Sequence, residues 1–534
     1  MVNKPFANIA QTIKFILRRD RIRIPVWVLS IAIFTILIAL MLPNLYTSSM
    51  EREIMAETMK NPAIIVMLGP GYGLDNYTDG AMMAHFMLVF TALATGIMGI
   101  MLTVRHTRED EEEGRIEMIR SLPVGALSPL TATIIMITIV NIVLTVIVGF
   151  GLYSLGFESM DLEGSFLYGA SIGVIGIYFA ALTGLFAQLS TNSRSTLGYS
   201  FTFLIAAYIV RGIGDIEYEI LSLISPLGLI LRTEVYVSNN WWPVFATLGQ
   251  SILLFALSLY LNSIRDLGAG FIPARPGRKY ASSLLSSPLG LSIRLQRTSI
   301  IAWTVGMYVL GVSYGSILGD LEGFLDTSGV LLKMLPESAD YSITERFITM
   351  LMTILSILGS IPVLLYVLKL KSEEKKARTA HLLARAVSKN SLIGSYTLIG
   401  LVAAPITQLM SVLGLWSAAI FVMDNLVSMD ILFKSALAHL PAMWIMVGLA
   451  VLLIGYLPNL TGLSWLYLGY SFFVVYMGEM LQLPDWMSNL SPFGHIPQIP
   501  MEEFSLVKML VLIAITAILI VAGFVGYNTR DLEG

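Results

Sequence analysis

Apolar runs of about 20 residues recur along the whole of this chain, each long enough to cross a hydrocarbon core roughly 30 Å thick as a helix. No other feature of the sequence restricts its fold so strongly, because backbone groups inside lipid must find their hydrogen bonds within the segment. Hydrophobic residues make up 56% of the 534 and charged residues only 13%, against about 25% charged in soluble domains. The expected fold class is an all-α polytopic membrane protein. About twelve spans are predicted, centred near Phe34, Thr91, Val140, Ile175, Leu204, Leu253, Val309, Leu355, Ala404, Gly448, Tyr470 and Ile518. The first run is too long for a signal-peptide core and lacks a cleavage site, so it is read as a retained span. The chain has no cysteine, which excludes disulfides and thiolate metal sites.

Charge divides the connecting segments. With the N-terminus inside, about 25 of the 33 Lys and Arg fall on the cytoplasmic side, the bias that sets orientation in membranes. Both termini are then cytoplasmic. The second half repeats the first: Arg18, Arg21 and Trp27 match Arg294, Arg297 and Trp303, and SPLG (225–228) matches SPFG (491–494). An even number of spans per half makes this a parallel repeat, both halves entering from the same side. The domains expected are a first six-span half with an interfacial N-terminal helix (1–264), a cytoplasmic linker (265–290) and a second six-span half (291–534). Phe6, Ile9, Ile13, Ile16 and Leu17 line one face of that N-terminal helix.

REDEEEGRIEMIRSLPVG (108–125) is acidic on the side that is otherwise basic. Its counterpart, KSEEKKARTAHLLARAVS (371–388), lies at the same place in the repeat and is more basic. Ile116, Ile119 and Leu122 form one stripe of a short helix that Pro123 and Gly125 terminate. Two readings stand, a solvated turn that separates two spans and a pair of docking helices for a cytoplasmic partner.

The opposite side carries SPLG and SPFG in apolar surroundings, as expected of broken, re-entrant helices buried in protein. Arg211 and Asp215 are four apart on one helix and able to pair; with Pro226 and Pro492 they are candidates for an outer gate, the alternative being simple anchoring. Phe86, Phe90, Phe201, Tyr208, Phe347, Met350, Tyr470, Phe473 and Tyr476 are candidates for the wall of a cavity that takes a large apolar substrate by area and shape. Aromatic stripes at helical spacing equally serve helix packing. The spans hold almost no ionisable residue of the kind an ion-coupled carrier uses. The five histidines have no ligand spacing, so no metal site is expected, and no catalytic constellation stands out. No Gly-Lys dipeptide occurs, so the phosphate-cradling GxxxxGK[ST] loop is missing and this is not expected to be an enzyme by itself.

RxxREDEEEGRxExxRSLPVG, the linker RDLGAGFIPARPG with SPLGLSIRLQR, LISPLG…NNWWP (223–243) and NLSPFGHIPQIPMEEFS (489–505) together resemble the membrane subunit of bacterial ABC exporters of polyketide or polyether antibiotics, in its fused twelve-span form. The resemblance covers nearly the whole chain. It implies the type-two ABC exporter permease fold in each half, a bacterial cell-membrane location, and two copies of a separate cytoplasmic ATPase that bind ATP and Mg; this chain itself would hold no cofactor. The coupling helices it implies lie at 109–123, with Glu111, Glu112, Glu113, Arg115, Glu117 and Arg120, and at 372–387, with Glu373, Glu374, Arg378, His381 and Arg385. Membrane lipids and a lipophilic small molecule complete the expected partners, with no nucleic acid. Export of a lipid, glycolipid or peptide is the alternative within the class, and an ion-coupled secondary transporter the alternative outside it.

Overall fold

The structure is a computed structural model that describes residues 4–46, 48–273, 279–320, 341–385, 387–423, 428–477, 484–502 and 505–531. Its contacts divide the chain into two compact units, Met1–Gly277 and Arg278–Gly534. The division falls inside the segment 265–290, of which 274–278 lie outside the described residues. Among the described residues, eleven helices are long and apolar enough to cross a membrane. The expected eleventh span is shorter than its neighbours: its described helix, Leu463–Met477, has 15 residues.

In the first unit α1 (Ile9–Arg19) leads into α2 (Arg23–Leu45), the first span. We call the end where the first span of a unit starts the proximal end and the opposite one the distal end. At the distal end lie α3 (Ser49–Thr58) and α4 (Pro62–Leu68). α5 (Asp79–Val104) returns and continues through a wide π turn, Arg105–Glu109. After the short α6 (Arg115–Arg120) come spans α7 (Ser128–Tyr153), α8 (Leu162–Leu189) and α9 (Ser193–Ile216). Two short distal helices, α10 (Glu219–Ile224) and α11 (Pro226–Leu231), precede α12 (Trp242–Ile264).

The second unit follows the same plan. α13 (Pro288–Ile317) is its first span, and α14 (Ile343–Lys375) leads into the short α15 (Arg378–Leu383). Spans α16 (Lys389–Val422) and α17 (Met429–Tyr456) come next, then the shorter α18 (Leu463–Met477), the distal α19 (Asp485–Asn489) and α20 (Leu506–Thr529). Polar caps set many of the starts: Asp161 accepts from Gly164 N, Asn192 from Ser195 N, and Ser342 forms a capping box with Glu345, satisfying backbone donors that a helix leaves open. The second and fourth spans are the most enclosed in both units, with 72% and 78% of the apolar window buried in the first and 67% and 78% in the second. The first and sixth spans of each present most of their surface outward, where lipid solvates it.

The two first spans differ. α1 breaks from α2 at Asp20, whose carboxylate turns inward to His106 and Arg105. Gln296, at the matching place, lies within the uninterrupted α13. α1 buries Thr12 and Ile16 and leaves Phe15 and Leu17 exposed, an amphipathic placement.

Both helix turns before α6 and α15 use a left-handed residue, Gly114 at φ 72° and Ala377 at φ 54°. A left-handed conformation crowds a Cβ against the backbone, at roughly 1–2 kcal/mol; only the first copy avoids it. Ala377→Gly is therefore expected to raise stability by about 0.5–1 kcal/mol once unfolded-chain entropy is subtracted. Gly114→Ala should lower it similarly. Thermal unfolding of the purified variants measures both.

Candidate functional site

The acidic run does not lie open at the proximal end. Asp110 and Glu111 are turned into the protein. Asp110 accepts from Arg19 on α1 at 2.7 and 2.8 Å and from Arg115 Nε at 2.7 Å, with His106 3.8 Å away. Glu111 accepts from Arg108 and from Arg265, each at 2.9 Å, and from the Gly268 N–H at 2.6 Å. Arg108, fully buried, also donates to the carbonyls of Ser190 and Ala269. Glu112 receives Ser193 N at 2.8 Å and Ser193 Oγ at 2.6 Å, an acid at the positive end of α9. Residues 268–272 are held against the same place, since Phe271 and Ile272 donate to the carbonyls of Gln188 and Leu189.

The second unit repeats this register 263 residues later. Glu373 pairs with Lys369 at 2.9 Å and Arg378 at 3.2 Å, as Asp110 does with His106 and Arg115. Glu374 meets Arg530 at 2.6 and 2.7 Å, with Lys371 at 3.9 Å, as Glu111 meets Arg265 and Arg108. Arg265 and Arg530 each directly follow the last span of their unit. Glu112 has no such match: Lys375 stands in its place and is exposed.

What α6 and α15 leave open differs from what the helical stripe predicts. Ile116 is buried, Ile119 half-buried, and Leu122 exposed beside Met118, which is 69% exposed. Glu113 and Glu117 are also exposed, Glu113 paired with Arg115. Arg115 and Arg120 are half-buried, Arg120 donating to the Ala126 carbonyl at 3.2 Å. Of the second set Arg378, His381 and Arg385 are exposed with Lys375 and Lys376, whereas Glu373 and Glu374 are buried. The outward faces are acidic and apolar on α6 and basic on α15.

Asp20 fastens α1 to this end through His106 at 2.6 Å and Arg105 at 3.1 Å. Burial pushes its carboxyl up, but the hydrogen bond and charge of His106, with the charges of Arg105 and Arg23, outweigh that and hold it below the usual carboxylate range. Ahead of α1, Gly125 N donates to Ala7 O, Leu127 N to Pro5 O and Asn8 Nδ2 to Pro123 O, tying the N-terminal segment to the residues that follow α6.

At the distal end Arg211 is fully buried. It meets Asp215 at 3.2 Å, donates to the carbonyls of Ile65, Val66 and Met67, and lies 4.6 Å over the ring of Tyr208. The guanidinium thus closes the open carbonyl end of α4, while Ser222 donates to Asp215 at 2.5 Å. Pro226 and Pro492 are buried. SPLG and SPFG pack alike: a Cβ on Gly228 would stand 2.1 Å from Ser222 O, and one on Gly494 would stand 2.3 Å from Ser488 O. Only glycine fits either place. Residues 503–504 of the 489–505 stretch lie outside the described residues.

The aromatic candidates take varied places. Phe347 is buried and Met350 half-buried against the cluster of Met307, Leu351 and Leu415. Phe86 and Phe201 are half-buried against the first unit's core, and Phe90 is exposed. Tyr208 donates to Met67 O at 2.9 Å and Tyr470 to Met487 O at 2.9 Å. Tyr470 also stacks near Tyr467, Tyr476 on Phe472, and Phe473 is exposed.

A family model described as "Multidrug efflux system permease Rv1217c, C-terminal domain" matches residues 285–528. Over 535 aligned positions the chain is 31% identical to the multidrug efflux system permease protein Rv1217c of Mycobacterium tuberculosis, an alignment that covers 99% of this chain and 96% of that protein.

Two expectations follow from the buried charges. Arg211→Ala leaves Asp215 buried without its partner, which should cost about 3–5 kcal/mol, read as lost thermal stability. For Asp20, whose folded pKa is depressed, the stabilisation is complete above the unfolded value of about 3.9 and is lost as pH falls through the folded value. Asp20→Asn should therefore melt below the unsubstituted protein at neutral pH, with the gap closing on acidification below about pH 4.

Proposed function

The chain belongs to the multidrug efflux system permease family, and from that premise we propose that it is the membrane subunit of an ATP-driven exporter of lipophilic compounds, polyketide or polyether antibiotics among them. Two copies of a cytoplasmic ATPase dock on α6 and α15, which places the proximal end inside the cell. The observation that carries this reading is the repeated turn: in both units the second span ends in the same buried carboxylates and hands on to a short helix with an exposed outer face. A turn that merely separated two spans would need neither the duplicated pairing nor Met118 and Leu122 held in solvent, since exposed apolar groups together mark contact surfaces. ATP binding favours one of two conformations of the permease by binding it more tightly, which is all that a ligand can do to an equilibrium. With no phosphate-cradling loop in the sequence, hydrolysis belongs to the partner.

The test is co-purification from the source membrane, followed by transport in proteoliposomes. An ABC-type ATPase should accompany the chain, and efflux of a polyether ionophore should require ATP. Movement driven by an ion gradient without ATP would overturn the reading in favour of a secondary transporter. Reversing the exposed charges of Glu113 and Glu117 and, separately, of Lys375 and Lys376 should lower stimulated ATP hydrolysis unequally, because an acidic-apolar face and a basic face meet the ATPase through different contacts. Equal losses, measured as hydrolysis rates of the reconstituted complexes, would count against unlike interfaces.

A further inference from the structure

We propose that Glu111 with Arg265, and Glu374 with Arg530, are positioning residues that carry movement of each docking helix into the last span of its own unit; the inference rests on the ATP-driven reading above. Four observations support it. The pairs sit one residue beyond Asp110 and Glu373, which hold α6 and α15 themselves through Arg115 and Arg378. Each pair joins the turn before the docking helix to the residue that directly follows the sixth span, α12 or α20. The sequence separations are 154 and 156 residues, so neither pair is a by-product of local helix geometry. Both carboxylates are buried, where an ion pair is held in one arrangement or pulled as a unit.

Stability does not account for the arrangement. Burying two charges costs several kcal/mol per ion, and apolar residues of similar volume often do as well. What such a pair supplies is a fixed register between two elements, strong only at contact distance. Displacing the docking helix therefore either moves the end of the sixth span with it or separates two charges in a low-dielectric place, and the first is the easier course. The coupling is wider in the first unit, where Glu112 also holds Ser193 at the start of the fifth span and Arg265 also bonds Gln188 Oε1. In the second unit Arg530 is joined through its own carbonyl to Lys389 at the start of the third span.

The absence of cysteine allows a clean spin-label test in the complex with its ATPase. Cysteines replace the exposed pair Ile142 and Leu253 in the first unit, or Leu398 and Val521 in the second, and distances are compared before and after trapping with ATP and vanadate. The expected result is a shift on trapping that is lost in Arg265→Gln for the first pair and in Arg530→Gln for the second, with the ATPase still bound and its basal hydrolysis kept. Arg265→Lys and Arg530→Lys, which retain the charge, should restore the shift. An unchanged shift in the Gln variants, or no shift in the unsubstituted complex, overturns the proposal while leaving ATP-driven export intact. Failure of any ATPase to bind the unsubstituted chain overturns the reading on which it rests, and the proposal with it. Where Arg530→Gln alone fails to fold, Glu374→Gln with Arg530→Gln removes the unpaired charge; if that protein also fails to fold, the pair is structural and the proposal falls.

Discussion

A carboxylate buried beside a helix turn must find a cation or give up its charge, and at the proximal end of this protein that demand brings distant parts of the chain together. Glu111 draws in Arg108, Arg265 and the backbone of Gly268; Asp110 draws in α1 through Arg19. The first, second, fourth, fifth and sixth spans of the first unit all meet this cluster at or near their ends. The net gain in stability from such pairs is small, whereas the penalty for breaking one is several kcal/mol. The arrangement is thus selective: it excludes other registers of the turn more than it deepens the native one.

The same demand is met twice with different neighbours. Asp110 becomes Glu373, His106 becomes Lys369, and Arg265 becomes Arg530, yet each side chain keeps its partner at the turn. The carboxylates at 110/373 and 111/374 and the arginines at 115/378 and 265/530 keep sign and reach, whereas Asp20 and Glu112 have Gln296 and Lys375 at the matching places, and the outward-facing Glu117 and Met118 have Ala380 and His381. Positions under internal electrostatic constraint and positions exposed at the surface are interleaved along the same 15 residues.

Spans, their number to within the short α18, and the internal repeat were legible because hydrophobic length and charge asymmetry are properties of contiguous sequence. The location of the turn was legible for the same reason. Which carboxylates face inward was not. Gly114 enters a left-handed conformation and turns α6 relative to the residues before it, so the stripe Ile116, Ile119 and Leu122 says nothing of how residues 110–112 face, and its last member lies beyond the helix end at Arg120 and is exposed. Nor were Arg265 and Arg530 picked out, though the tripeptide RDL recurs at both places; its weight appears only when the ends of the sixth spans arrive beside the acidic turns. The Arg211–Asp215 pair was legible from its spacing of four, but its part in closing α4 was not, because α4 is some 145 residues distant in sequence. Aromatic spacing could not tell Phe347, which fills a core, from Phe90, which faces outward.

Joining two equivalent units in one polypeptide has a genetic consequence. In a symmetric homodimer every substitution appears at both equivalent sites, so the two cannot change independently. Here the codons for Glu113 and Lys376 are independent, and so are those for Met118 and His381. Each exposed helix face, on α6 and on α15, is free to specialise by point mutation alone while the buried charges beneath it stay under common restraint.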